Sequence, residues 1–106
     1  MIAKDNPVRS KKLRDSARGQ ECALRIPGVC SGDTETTVLC HLPFGGRGVG
    51  IKASDDFAVY GCHRCHSALD GRALPPVSQA ELYECVIRAI AETHAVWRQE
   101  GLVKYG

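Results

Sequence analysis

The sequence is short of aromatic residues and has no long apolar segment. Its 106 residues include one tryptophan, three tyrosines and two phenylalanines. No apolar run approaches the roughly 20 residues that a membrane span requires, and the polar N-terminus lacks the apolar core of a signal peptide. We therefore expect a small cytoplasmic protein with no membrane contact, whose limited core needs additional support.

An excess of one charge is also missing. The net charge of +2 is too small to indicate a nucleic-acid partner by itself. The basic residues are nevertheless concentrated near the N-terminus, where Lys4, Arg9, Lys11, Lys12, Arg14 and Arg18 outnumber Asp5 and Asp15. Such an arm can lie along a phosphate backbone or remain solvated. We divide the chain into a basic arm, residues 1–20, and a single domain, residues 21–106.

The pattern of apolar residues predicts a β-hairpin followed by a short helix. Residues 36–42 and 57–60 are rich in β-branched and apolar side chains, which is typical of strands. Residues 62–70 suit a turn and a short helix. The connection at residues 45–50 is rich in glycine but lacks the lysine and hydroxyl residue of a phosphate-binding loop, so we expect a hairpin connection or a DNA contact there.

A long helix is predicted in the C-terminal third of the chain. Ser78 and Glu81 form the capping-box pattern, in which each side chain satisfies a backbone N–H at the helix start. Apolar residues then recur at helical spacing on one face and include Trp97, and Gly101 is the predicted end. We expect this helix to be the main packing element.

The support that the core needs is indicated by the six cysteines. In a reducing compartment, cysteines are metal ligands or core residues more often than disulfides. Cys22 and Cys30 flank a Pro-Gly turn, and Cys62 and Cys65 form a C-x-x-C pair. Two such pairs predict a tetrahedral zinc site that stabilises the fold, in which His63 could replace one cysteine.

The other two cysteines lie outside these two pairs, and a redox role for the C-x-x-C pair is disfavoured. Cys85 falls within the long helix and is expected to be a small buried residue, whereas Cys40, beside His41, has no single interpretation. A redox C-x-x-C normally begins a helix in a βαβ unit, and the chain shows no such pattern.

Two of the four histidines are candidates for a catalytic role. His66 and Asp70 are four residues apart on the predicted short helix, so they share one face and can chelate a divalent ion or form a surface pair. His41 ends the first predicted strand, where a lone histidine is more often structural. The combination of a strand-end histidine, C-x-x-C-H and His-x-x-x-Asp changes that balance.

This combination resembles the HNH endonucleases. The resemblance implies a small α+β domain of the ββα-metal, treble-clef-like type, here with a long C-terminal helix. It also implies that His41 is the general base and that His66 and Asp70 hold a catalytic magnesium or manganese ion, for which a crystal could contain zinc. The structural zinc ligands implied by the resemblance are Cys22, Cys30, Cys62 and Cys65.

Residues 14–72 are also similar to a small family of prophage-encoded nucleases related to phage recombination-enhancement nucleases. The match is carried by the segment around Cys22 and Cys30, by Cys65-His66 and by Asp70. It implies DNA cleavage in recombination. Recombination proteins or a second copy of the chain are the candidate partners, and we expect low sequence specificity, because contacts to the DNA backbone carry no sequence information. Contacts to the DNA backbone are expected from Arg47, Lys52, Arg64 and Arg72.

The sequence departs from the HNH pattern at two places. Many members have an acidic metal ligand directly before the catalytic histidine, where this chain has Cys40. The middle asparagine has no clear match, and Asp55 or Asp56 could take its place. Alternative functions are a non-catalytic zinc-dependent DNA-binding module and a protein-interaction domain in which zinc only holds the fold.

Overall fold

The computed structural model describes residues 10–42, 55–71 and 76–102. Its elements are α1 (Lys11–Ser16), a 3-10 turn (Thr34–Thr36), β1 (Val38–His41), β2 (Ala58–Gly61), α2 (His63–Leu69) and α3 (Gln79–Gln99). The predicted arrangement is confirmed as a small α+β fold with a two-stranded sheet and a long C-terminal helix. None of the helices in the described ranges has the length and apolarity needed to cross a bilayer.

The two strands form an antiparallel hairpin that is slightly shorter than predicted. Its register pairs Val38 with Gly61 and His41 with Ala58. The prediction that the first strand begins at residue 36 is wrong, because the side chain of Asp33 caps the 3-10 turn by accepting from the Glu35 backbone N–H at 3.0 Å. This local hydrogen bond therefore determines the backbone conformation here, despite the strand preference of the β-branched residues that follow.

Helix α3 begins and ends as the sequence predicts. The Glu81 backbone N–H donates to Ser78 Oγ at 3.1 Å, and the Ser78 N–H donates to Glu81 Oε1 at 3.0 Å, which completes the capping box. The helix extends to Gln99, and Gly101 then adopts a φ of 70°, the left-handed conformation that glycine tolerates best.

A buried aromatic pair joins α3 to β2 and α1. Trp97 and Tyr60 are both in the core, with their rings edge to face at a centroid distance of 6.4 Å. The Trp97 indole N–H donates to the Tyr60 hydroxyl at 3.1 Å, and that hydroxyl lies 2.8 Å from Ser16 Oγ. Thr93 Oγ1 accepts the Tyr60 backbone N–H at 3.1 Å. These buried bonds fix three elements around one tyrosine.

Helix α1, predicted as part of the basic arm, packs on the hairpin. Leu13 and Ala17 are buried in the common core, and Ser10 caps the helix by accepting from the Leu13 N–H at 3.2 Å. A six-residue helix is too short to be stable alone, so this packing holds it in place. The division of the chain at residue 20 stays a prediction.

Candidate functional site

Four cysteines converge where the turn after α1 meets the start of α2. Cys22, Cys30, Cys62 and Cys65 place their sulfurs within 4.8 Å of one another, with Cys30 and Cys62 at 3.9 Å. A tetrahedral zinc ion with Zn–S bonds of about 2.3 Å requires sulfurs about 3.8 Å apart. The donor set and its spacing therefore fit a structural zinc ion. The side chain of His63 is exposed and lies outside this group.

Hydrogen bonds favour the thiolate form at two of the four sulfurs, those of Cys22 and Cys62, whose pKa values are lowered. The backbone N–H groups of Arg25 and Ser31 point at Cys22 Sγ and Cys62 Sγ, at 3.4 and 3.5 Å. The hydrogen bond from the Cys65 thiol lowers the pKa of Cys22 to about 4, against the opposing effect of burial, and the Arg25 N–H contributes in the same direction. Thiolates are the form that binds zinc.

Two arginines tie the first cysteine turn to α3. The Arg25 guanidinium forms a bidentate pair with Glu92 at 2.8 and 2.7 Å. Arg88 donates to the carbonyl of Leu24 at 2.7 Å. Arg25 has a φ of 41°, rare for a residue with a side chain, and this backbone conformation accompanies the N–H contact to Cys22. The turn is thus held from both its backbone and its side chains.

The end of β1 carries a histidine paired with a buried carboxylate. His41 Nε2 lies 2.8 Å from Asp55 Oδ1, and the Asp55 side chain is only 1% exposed. Its other oxygen accepts from the Ser10 backbone N–H at 2.7 Å and from the Arg14 guanidinium at 2.8 Å. Asp55 therefore joins β1 to the N-terminus of α1, and His41 is held by a fully engaged partner.

Burial by itself would raise the pKa of Asp55. The hydrogen bonds from the Ser10 N–H and from His41, together with the positive charge of Arg14, outweigh burial and leave the pKa below its usual value. A buried carboxylate without such partners would be costly. Here it remains ionised and presents a negative charge to His41.

A second histidine–carboxylate pair lies on α2. His66 Nε2 and Asp70 Oδ2 are 3.2 Å apart, and their side chains are 32% and 29% exposed. The four-residue spacing therefore brings both groups to one accessible face. Because Cys65 precedes His66 and is a zinc ligand candidate, the same helix connects the metal cluster to this pair.

The remaining candidate residues differ in their burial and position. Cys40 is buried, with its sulfur 3.8 Å from the Gly61 carbonyl oxygen, and burial raises its pKa well above the ordinary thiol value. Cys85 is buried on α3, as predicted. Arg64 is exposed on α2. Three predicted DNA contacts lie outside the described residues, and these are Arg47, Lys52 and Arg72.

Sequence analysis did not identify Ser10 and Arg14 as parts of the site. Arg14 belongs to the basic arm, for which we expected either phosphate contacts or solvation, yet it contacts Asp55 across 41 positions. Asp55 was noticed only as a substitute for a missing asparagine. No local pattern in the sequence indicates a contact between the arm and the residues that precede β2.

Comparison with known proteins gives consistent matches. The family model described as "Putative nuclease YbcO" matches residues 11–102. The chain is 42% identical over 93 residues to "Putative nuclease YbcO" of Escherichia coli (strain K12), covering 87% of this chain and 96% of that relative. A protein of Enterobacteria phage 82 called "Putative nuclease ybcO" matches with the same identity and coverage.

A solved structure also has this fold. It is described as "Structure of a putative bacteriophage protein from Escherichia coli str. K-12 substr. MG1655" and has a TM-score of 0.69 to this chain at 37% identity. The match covers 85% of this chain and 100% of that one. The four-cysteine cluster, α2 and α3 all fall within the segment that the family model matches.

Proposed function

This chain belongs to the YbcO family, and from that premise we propose that it is a metal-dependent DNA endonuclease of phage or prophage origin. It hydrolyses phosphodiester bonds with low sequence specificity. The single observation that carries the proposal is the His41–Asp55 pair, at 2.8 Å, on a hairpin next to a four-cysteine cluster. Both relatives are named as putative nucleases, which supports the same reaction class.

We assign the domain to the ββα-metal, HNH-like fold. An antiparallel hairpin leads directly into α2, whose N-cap is Cys62 and whose first turn contains Cys65. A zinc ion on the four cysteines would tie this helix to the turn that follows α1. The order of hairpin, zinc-anchored helix and accessible His66 supports the assignment, as does the strand-end position of His41.

His41 is the proposed general base. The Asp55 carboxylate at Nε2 favours the tautomer with its proton on Nε2, which leaves Nδ1 as the acceptor. The ionised carboxylate then stabilises the imidazolium that forms when Nδ1 takes a proton from the attacking water. General-base catalysis of this kind contributes about 10²–10⁴-fold to a rate. Asp55 acts through His41 and is a positioning residue.

His66 and Asp70 would hold the catalytic divalent ion. Their imidazole and carboxylate groups lie on one accessible face and would provide two ligands for such an ion. Magnesium or manganese bound there supplies a Lewis acid for the charge on the scissile phosphate. The orientation of the two side chains is fixed by α2, because the start of this helix is anchored by Cys62 and Cys65.

DNA binding is proposed to rest on phosphate contacts. Arg64 is exposed on α2, next to the zinc cluster and two residues before His66. Arg47, Lys52, Arg72 and the basic arm are the other proposed contacts. Backbone contacts of this kind position DNA without reading its sequence. We place the reaction in the cytoplasm, where cysteines stay reduced and available to zinc, with recombination proteins as candidate partners.

The test is plasmid nicking with magnesium or manganese, on wild type, His41→Ala, His66→Ala and His63→Ala. We expect the first two variants to lose cleavage while zinc content and circular dichroism remain unchanged. His63 is the matched control because its side chain is exposed on the same helix and belongs to neither pair, so His63→Ala should keep full activity.

Two outcomes would contradict the proposal. Cleavage retained in both His41→Ala and His66→Ala would remove these residues from the mechanism. A folded, zinc-loaded wild type that retards DNA on a gel but never cuts it would instead identify a DNA-binding module, because the zinc cluster alone has no need of either histidine.

A further inference from the structure

One side of α3 exposes apolar side chains beside the stripe that packs in the core. Tyr83 is 45% exposed and Ile87 is 67% exposed. With Val86 and Ile90 they line an open hollow of about 360 Å³. Isolated apolar residues are normal on a surface, but a continuous patch on one helix indicates an interaction site.

The spacing of this patch is that of a helix–helix seam. Tyr83, Ile87, Ile90 and His94 follow one another at intervals of four, three and four residues, the a/d pattern of a coiled coil. His94 is half-buried, with its ring stacked on Trp97 at a centroid distance of 4.7 Å. The four side chains therefore form a nearly continuous ridge along about three turns.

The row of residues beside this ridge carries charges of opposite sign at its two ends. Glu84, Ala91 and Arg98 are spaced seven residues apart, and all three are exposed. The row therefore begins with an acid, has a small residue at its middle and ends with a base. Such a row is complementary to itself only when a second copy is antiparallel.

We propose that this face of α3 is the interface of a symmetric homodimer in which the two α3 helices pair antiparallel. Ile87 of each copy then packs against the partner's Ile90, and Tyr83 packs against the partner's His94. On the flanking row, Glu84 of each copy lies toward the partner's Arg98, while the small side chain of Ala91, near the midpoint of the seam, leaves room for close approach. A parallel pair would instead put the two rows on opposite sides of the seam, where Glu84 and Arg98 of different copies could not meet.

The length of the seam indicates how tightly the two copies should bind each other. Helix α3 has 21 residues, which corresponds to a length of about 31 Å. One helix face of this length is smaller than the roughly 800 Å² per partner of a standard stable interface. We therefore expect a reversible dimer that depends on protein concentration. Its existence does not depend on the nuclease activity.

Sedimentation velocity over a concentration series tests the proposal with the full chain. Ile87→Asp should raise the dissociation constant at least about a hundredfold, since it puts a carboxylate in the apolar seam. Val38→Asp is the control, because Val38 is an exposed aliphatic residue on β1, outside the seam, and the variant should dimerise as wild type does. Circular dichroism of each variant establishes that it is folded.

Charge exchange tests the antiparallel orientation at two exposed positions that do not affect the core. Glu84→Arg and Arg98→Glu should each raise the dissociation constant about tenfold, because each creates two like-charge contacts in the dimer. The double variant should return to the wild-type value. A wild type that stays monomeric at its highest attainable concentration overturns the proposal. So does a dimer that survives Ile87→Asp, or a double variant weaker than either single one.

Discussion

Asp55 holds His41 with one carboxylate oxygen, at 2.8 Å from Nε2, while its other oxygen is bound by α1. The ring orientation of the proposed base therefore depends on a carboxylate that is buried and ionised. Ser10 and Arg14 supply the donors that keep it so. The N-terminal helix is thus part of the site, although it contributes no proposed catalytic group.

The first prediction concerns Asp55→Asn. The amide keeps the shape of the carboxylate but removes the charge that favours the Nε2–H tautomer and stabilises the imidazolium. We expect DNA cleavage to fall about 100-fold or more, measured as the rate of plasmid nicking. Asp56→Asn, a change of the exposed neighbour, should leave the rate close to wild type. Equal losses in the two variants would contradict the role of Asp55.

The second prediction concerns the pH dependence of stability. The pKa of Asp55 is lowered on folding, so its contribution is complete above the unfolded value, near 3.8, and is lost as the pH falls through the folded value. Arg14→Gln should destabilise the protein by about 1–3 kcal/mol at pH 7 and start acid unfolding at a higher pH. Both are measured by urea unfolding at several pH values.

The control for Arg14 is on the same helix. Lys11 pairs with Asp15 at 2.7 Å, but both side chains are largely exposed, at 81% and 49%. Lys11→Gln should therefore leave the free energy of unfolding close to the wild-type value, because an exposed ion pair contributes little. If Lys11→Gln destabilises the protein as much as Arg14→Gln does, the contact of Arg14 with the buried Asp55 contributes no more to stability than an exposed ion pair.

The third prediction concerns the metal cluster. We expect one zinc ion per chain, and Cys65→Ser should lose it together with most of the thermal stability, because zinc binding supplies folding free energy. Cys85→Ala should keep the full zinc content, since Cys85 lies in the core of α3, outside the cluster. Elemental analysis and thermal unfolding, with and without a chelator, measure both effects. Wild-type stability that is unaffected by chelation would contradict a structural zinc.

The fourth prediction concerns Gly61 at the end of β2. A Cβ at this position would lie 2.7 Å from Cys40 Sγ and 2.9 Å from Leu24 Cδ1, closer than real contacts allow. Gly61→Ala should therefore destabilise the protein by about 1–3 kcal/mol. Adding Cys40→Ala removes one of the two clashes and should recover part of that loss in urea unfolding. No recovery would mean that Leu24 alone limits the space.

Features encoded over short distances were predicted well from the sequence. The capping box is formed by Ser78 and Glu81, which are three positions apart. His66 and Asp70 share a helix face because they are four positions apart. The cysteine cluster was also predicted, although Cys30 and Cys62 are 32 positions apart in the sequence. Zinc chemistry restricts which residue types can form such a cluster, and two close pairs are a strong constraint.

Contacts without such a constraint could not be predicted. The pair of Arg14 and Asp55 joins residues 41 positions apart, and neither residue type nor spacing distinguishes it from many other possible ion pairs. The packing of α1 on the hairpin likewise depends on tertiary burial of Leu13 and Ala17. In the sequence, these two apolar residues are surrounded by basic residues. The segment was therefore interpreted as a basic arm and not as a packed helix.

The aromatic pair at the centre of the fold has an optical consequence. Trp97 is the only tryptophan, so all indole emission comes from the point where α3 meets β2. The buried, hydrogen-bonded indole should emit at short wavelength, and the stacked His94 ring should partly quench it. Burial lowers the pKa of His94, so protonation deepens this quenching only in acid. A shift of the emission to longer wavelength then signals that α3 has separated from β2, without any added dye.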